Sequence, residues 1–129
     1  MSGSSSGFYS VEVPFFDPEP LDQMQSLLGE GMVVDLVDEF VRSGADILAR
    51  FDQALAGGDE KTAQREAHSL KSSASSLGLV YLARLCAALE AECRNGRLGA
   101  ARDGRDDMAE NYAKACLFLQ DIKNARRPG

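Results

Sequence analysis

The sequence predicts an all-α protein, an antiparallel up-and-down four-helix bundle with a short extra helix at its N-terminal end. Three observations lead there. Apolar residues recur at three- and four-residue steps over most of the chain. The punctuation is helix-stop glycine, as at Gly57-Gly58, Gly78 and Asn95-Gly96, where the left-handed geometry of a helix end suits Gly. Alternating runs of β-branched residues, the mark of strands, are nearly absent.

The first helix is predicted to open at Asp17, an N-cap, with Pro18 in the first helical position. Leu21, Met24 and Leu28 form its apolar stripe, and Gly29 and Gly31 bracket its end. The second runs from about Met32 to Ala56, with Val33, Leu36, Val37, Phe40, Gly44, Ile47, Phe51 and Leu55 on one face. Asp59 caps a third, from about Glu60 to Leu77, whose stripe is Ala63, Ala67, Leu70, Ala74 and Leu77. A fourth spans about Leu79 to Arg94. The fifth, about Ala100 to Asn124, presents Met108, Tyr112, Ala115, Leu119 and Ile122. Short connections between long helices favour antiparallel neighbours, with the first helix capping one end. Residues 1–16 are expected to be a flexible arm anchored only at Phe15 and Phe16, residues 17–125 the bundle, and residues 126–129 a tail.

Composition limits what such a bundle can do. The chain has 129 residues and a formal net charge of −6, enough for one domain with one core. An acidic surface argues against nucleic acid and against anionic membranes. No apolar run reaches the roughly 20 residues of a membrane span, and the Ser/Gly-rich start is no secretory signal, so a cytoplasmic protein is expected. Three cysteines, Cys86, Cys93 and Cys116, suggest no disulfide framework and too few ligands for zinc. They read as buried, reduced thiols.

Chemistry gathers on the third helix. His68, Lys71, Ser72 and Ser75 stand at i, i+3, i+4 and i+7, a second face turned about 100° from the core stripe. His68 should therefore project from the side of the bundle. Neutral imidazole is a good nucleophile near neutral pH, a lysine one turn along puts positive charge beside incoming phosphoryl oxygens, and the Ser/Ala run from Ser72 to Ser76 leaves room for a partner to close over the ring. Each residue alone reads as a solvated side chain; their combination at one spacing points to phosphoryl transfer. If Gly78 is a hairpin turn, the level position on the fourth helix is about Leu89 or Glu90. Glu90 could accept a hydrogen bond from the imidazole and fix its tautomer. Arg94, one turn further, could pair with Glu90 or with phosphate.

With Ala67-His68-Ser69-Leu70-Lys71, Ser73, Leu77-Gly78-Leu79 and the helix Leu82 to Arg94, the sequence resembles the histidine-containing phosphotransfer domains over about residues 32–124. The resemblance implies a four-helix bundle in which His68 is phosphorylated on the ring nitrogen farther from the backbone. It also implies that Lys71 stabilises the phosphoryl group, that Glu90 occupies the place of a Gln or Glu beside the histidine, and that Arg94 matches a basic position of some members. The partners implied are response-regulator receiver domains and a hybrid sensor kinase. The chain would be a carrier and not an enzyme, with no cofactor or metal of its own, since magnesium and the acidic pocket belong to the receiver. One departure is Ser72, where the family usually has Gly to keep the histidine open.

An apolar dock for receivers is expected near His68 from the exposed parts of the first two helices, Leu28, Met32 and Val33, together with Ser72 and Ser75. A single exposed histidine face needs no second subunit, so a monomer is expected. The alternative is a helical module that binds or sequesters receivers without transfer. A serine hydrolase is disfavoured, because the one histidine has serine neighbours only on its own helix and no nucleophile elbow is present.

Overall fold

The computed structural model describes residues 13–126; the first twelve residues of the arm and residues 127–129 of the tail lie outside the described residues. Five helices follow in order: α1 (Glu19–Leu28), α2 (Glu30–Gly57), α3 (Glu60–Ser76), α4 (Val80–Arg94) and α5 (Leu98–Arg126). The last four close a ring in which α2 packs on α3, α3 on α4, α4 on α5 and α5 back on α2, while α1 leans on α2. Within the ring, connections of two or three residues force each helix antiparallel to the one before, while Gly29 alone joins α1 to α2.

The core is the predicted set of stripes facing inward. Val33, Val37, Phe51, Ala63, Ala67, Leu70, Ala74, Met108, Ala115 and Leu119 are fully buried, and α4 adds Leu82, Leu85, Cys86 and Leu89. A fully buried Leu or Phe contributes about 1.5–3 kcal/mol from transfer alone, so this shared interior is the main source of stability.

Helix ends follow the expected chemistry with small shifts. Asp59 accepts a hydrogen bond from the Thr62 amide at 3.1 Å and caps α3. α1 begins one residue later than predicted, at Glu19, so Pro18 and not Asp17 is its N-cap; Asp17 stands just before it and accepts from the Glu19 amide at 3.0 Å. α2 starts at Glu30, two residues before the predicted Met32, because Gly29 alone, at φ 92°, makes the corner and Gly31 is already helical. α5 runs unbroken through Gly99 and Gly104 from Leu98, and its last turn takes in Arg126, the first residue assigned to the tail.

The bundle is uneven in length. α2 has 28 residues and α5 29, against 17 and 15 for α3 and α4, so the long pair overruns the α3–α4 hairpin. The N-terminal segment fills the step. The Asp17 amide donates to the Gly78 carbonyl at 2.7 Å, and the Tyr81 amide reaches the Phe15 carbonyl at 3.5 Å. Phe15 and Phe16 pack edge-on against Phe118, with centroids 5.5 and 4.7 Å away, and Leu21 is buried beneath α1. Gly78 has φ 80°, and a Cβ there would collide with the Asp17 carbonyl oxygen. The hairpin that sets the register of α3 against α4 thus needs glycine for two separate reasons.

On the opposite wall, Gly44 lies under the Tyr112 ring, where a Cβ would overlap ring atoms. That approach lets the Tyr112 hydroxyl donate to the Val41 carbonyl at 2.5 Å. Arg105 grips Asp52 with Nε–Oδ1 and Nη2–Oδ2 distances of 2.6 Å, and Lys123 reaches Asp38 at 2.6 Å. Both pairs fix α5 on α2.

Candidate functional site

His68 sits near the middle of α3, between the buried Ala67 and Leu70, and its own side chain is 56% exposed. The helical period produces this: with 67, 70 and 74 committed to the core, position 68 falls on the flank facing α4. There Glu90 meets it. The α3–α4 register set at Gly78 brings His68 Nδ1 to 3.0 Å from Glu90 Oε2.

Glu90 is the anchor of the site. Its side chain is only 10% exposed, and its other oxygen, Oε1, is 2.8 Å from Lys71 Nζ. Burial, the strongest influence on this carboxyl, raises its pKa; the hydrogen bonds from Lys71 and His68, with their charges, overcome that and hold it below the usual carboxylate value. Glu90 is therefore ionised near neutral pH, and an ionised carboxylate only accepts hydrogen bonds. The proton of the shared bond must lie on His68 Nδ1. The lone pair of the neutral ring is then on Nε2, the nitrogen farther from the backbone.

The remaining predicted residues fall as follows. Lys71 is one third exposed, and its ammonium is held by Glu90 and not left loose beside the ring. Arg94 Nη1 is 3.7 Å from Glu90 Oε2, an ion pair without hydrogen-bond geometry, with 54% of its side chain exposed. Ser72 and Ser75 are exposed on the same flank. Leu28 and Met32 are exposed, 60% and 37%. Leu36 and Phe40 share a small groove with Ser73, Ser76 and Leu77, which places Met32 beyond the end of α3. At 1.5 Å per residue, Leu28 and Met32 lie roughly 20 Å along the axis from His68. Val33 is a correction: it is fully buried and belongs to the core, because α2 turns that side inward.

Three residues at the site were not singled out in the sequence. A depression beside His68 and Glu90 is lined by Lys61, Gln64, Arg65 and Ser69. Lys61, Gln64 and Arg65 stand seven, four and three residues before the histidine, so the helical spacing that found Lys71 in one direction could have found them in the other. Four cationic side chains, Lys61, Arg65, Lys71 and Arg94, gather here against one carboxylate, in a chain of net charge −6.

Other polar burial is structural. Glu66 pairs with Arg50 at 3.2 Å and Glu92 with Arg97 at 2.5 Å. The three cysteines are unbridged, Cys86 and Cys93 buried and Cys116 half-buried. Burial, with the Glu90 charge, pushes the Cys86 thiol up to about 12, so it stays protonated. Among the described residues no three His, Cys, Asp or Glu side chains gather to hold a metal ion, and no helix is long and apolar enough to cross a membrane.

Comparison with known proteins agrees with this geometry. Residues 35–126 match the family described as the Hpt domain. The fold superposes on the crystal structure of histidine-containing phosphotransfer protein B (HptB) from Pseudomonas aeruginosa PAO1 with a TM-score of 0.82 and 28% identity, covering 90% of this chain and 100% of that one. The sensor protein TorS of Escherichia coli (strain K12) is 35% identical over 74 residues; the match takes in 57% of this chain but only 8% of TorS. An imidazole held by a carboxylate on the neighbouring helix, its far nitrogen open, is thus seen in a chain that belongs to the Hpt domain family and has a histidine phosphotransfer role in two-component phosphorelays.

Proposed function

We propose that the chain takes a phosphoryl group on His68 Nε2 from the aspartyl phosphate of one receiver domain and passes it to the aspartate of another. The observation that carries this reading is the Glu90 clamp on Nδ1. The Nε2 lone pair attacks phosphorus, the N–P bond forms as the P–O bond breaks, and the aspartate carboxylate leaves with the electron pair. The ring keeps its Nδ1 proton and becomes positive, and the Glu90 carboxylate, already facing that proton, stabilises the charge. The reverse sequence delivers the group onward.

Lys71 contributes twice in this scheme, by its charge and by keeping Glu90 ionised and aimed. Arg94 adds a second positive charge on the same carboxylate. Ser72 stands where a larger side chain would shade the ring. The receiver docks on the strip from His68 through Ser72 and Ser75 toward Met32 and Leu28. A standard interface of about 800 Å² per partner is wide enough to reach that apolar end as its rim. The chain acts as a carrier in the cytoplasm, as a monomer, fed by a hybrid sensor kinase. Any divalent cation used in the transfer sits in the receiver.

The test is transfer from a panel of phosphorylated receiver domains, followed by intact mass and by acid lability of the adduct. A gain of one acid-labile phosphoryl group, absent from His68→Gln, supports the relay. Receiver binding that His68→Gln retains, with no transfer to the wild type, favours the sequestering module.

A further inference from the structure

Resting on that reading, we infer that Gln64 and Arg65, with Lys61 one turn before, are the side chains that grip the phosphoryl oxygens on His68. The cation predicted for that task is already engaged: Lys71 Nζ is 2.8 Å from Glu90 Oε1. A helical side chain leans toward the N-terminus of its helix and covers the turn before its own Cα. The imidazole at 68 therefore lies toward the turn of Gln64 and Arg65, and the depression beside it is lined by those two residues and Lys61. With Nδ1 tied to Glu90, Nε2 is the ring nitrogen left for a phosphoryl group, and the depression beside the ring, which also takes in Ser69 and Glu90, is the space next to it.

The donors there are open. Among the described residues neither the Lys61 nor the Gln64 side chain makes a hydrogen bond or ion pair, and the Arg65 guanidinium bonds only the Thr62 hydroxyl, at 3.2 Å, with the Asp59 carboxylate within electrostatic reach. A guanidinium has five N–H donors and an amide two, so Arg65 keeps most of its fork for a planar face of phosphoryl oxygens. A phosphoryl group brings a charge of about −1.5 to −2, and Lys71 and Arg94 are already shared with Glu90. Lys61 and Arg65 are the positive charges of the site that make no ion pair with Glu90, although Arg65 also feels the Asp59 carboxylate at the start of α3.

The full chain is loaded with phosphoramidate, a small phosphoryl donor. Its P–N bond breaks as the Nε2–P bond forms, and ammonia leaves with a proton from water. Loading is followed by intact mass, and the second ionisation of the phosphohistidine by ³¹P NMR against pH. Gln64→Ala/Arg65→Ala should load about 5- to 10-fold more slowly than the wild type, because donors aimed at developing oxyanion charge are lost. The phosphoryl titration should move upward, since nearby cations favour the dianion. Arg65→Lys should restore most of the titration shift, which a merely structural role would not do. Rates and titrations equal to the wild type in the double variant would overturn the assignment. So would a wild type that loads from a receiver but not from phosphoramidate. A wild type that loads from neither would overturn the relay reading beneath it.

Discussion

His68 on α3 and Glu90 on α4 share one hydrogen bond, Nδ1 to Oε2 at 3.0 Å, that crosses the bundle surface and decides which ring nitrogen can react. Glu90 is nine-tenths buried and its second oxygen is held by Lys71 at 2.8 Å, so the carboxylate cannot swing away. Orientation and tautomer of the imidazole are thereby set before any partner arrives.

Replacing that carboxylate tests its part. Glu90→Gln keeps the shape but removes the charge that faces the ring as it becomes positive, and its amide can turn either a donor or an acceptor toward Nδ1. Transfer from a phosphorylated receiver should slow by about 10- to 100-fold, as expected for a lost charge-stabilising, positioning contact. Binding of the receiver should change little. Rapid-quench kinetics alongside calorimetric titration separate the two.

The same residue links stability to pH. The folded protein holds the Glu90 carboxyl below its ordinary value of 4.5, so over that range the unfolded chain binds the extra proton. The stabilisation from Glu90 is fully present above the unfolded value and is lost as pH falls through the folded one. At pH 7 the wild type should exceed Glu90→Gln by about 1.5–3 kcal/mol, the range for hydrogen bonds to charged groups. The gap should narrow as pH falls below the ordinary carboxylate value of 4.5. Urea melts at pH 7, 5 and 3.5 measure it, and a gap constant with pH would contradict the ionised, doubly bonded carboxylate.

Gly44→Ala should destabilise the bundle without touching the chemistry. A Cβ at 44 overlaps the Tyr112 ring, which is pinned by its hydroxyl to the Val41 carbonyl. Either the ring or α5 must shift, at about 1–3 kcal/mol for overpacking. Thermal melts should show the loss, while the transfer rate of the folded fraction stays at the wild-type value.

Phe51→Ala removes a fully buried ring from α2 and should cost about 3–5 kcal/mol. Chemical denaturation should report it as a shift in midpoint at unchanged slope.

Much of this structure could be read in advance, for identifiable reasons. The stripes of α2 and α3 became core because their 3.6-residue period leaves no other face large enough to bury. The His68–Glu90 pairing followed from counting back and forward from Gly78, whose backbone allows only a tight hairpin there. What failed to show is long-range or marginal. Val33 belongs to the apolar stripe of α2 and also to the expected dock, and only the stripe reading holds, because a residue at the rim of a stripe is assigned by neighbours in other helices, here at the end closed by α1. The glycines at 99 and 104 obscured the start of α5; Gly104 is buried, and the packing of Ala101 and Met108 outweighs a propensity cost of about 1 kcal/mol per Gly. Lys71 sits at the expected position, but its long side chain found Glu90, a choice that spacing does not encode.

The central claim is that His68 carries the phosphoryl group on Nε2 while Glu90 holds Nδ1. The most direct measurement is the ¹⁵N NMR spectrum of the histidine ring before and after phosphorylation by a receiver, with His68→Gln as control. The account predicts a protonated Nδ1 in both states and coupling of phosphorus to Nε2. Phosphorus coupled to Nδ1, or a gain of mass that persists in His68→Gln, would contradict it.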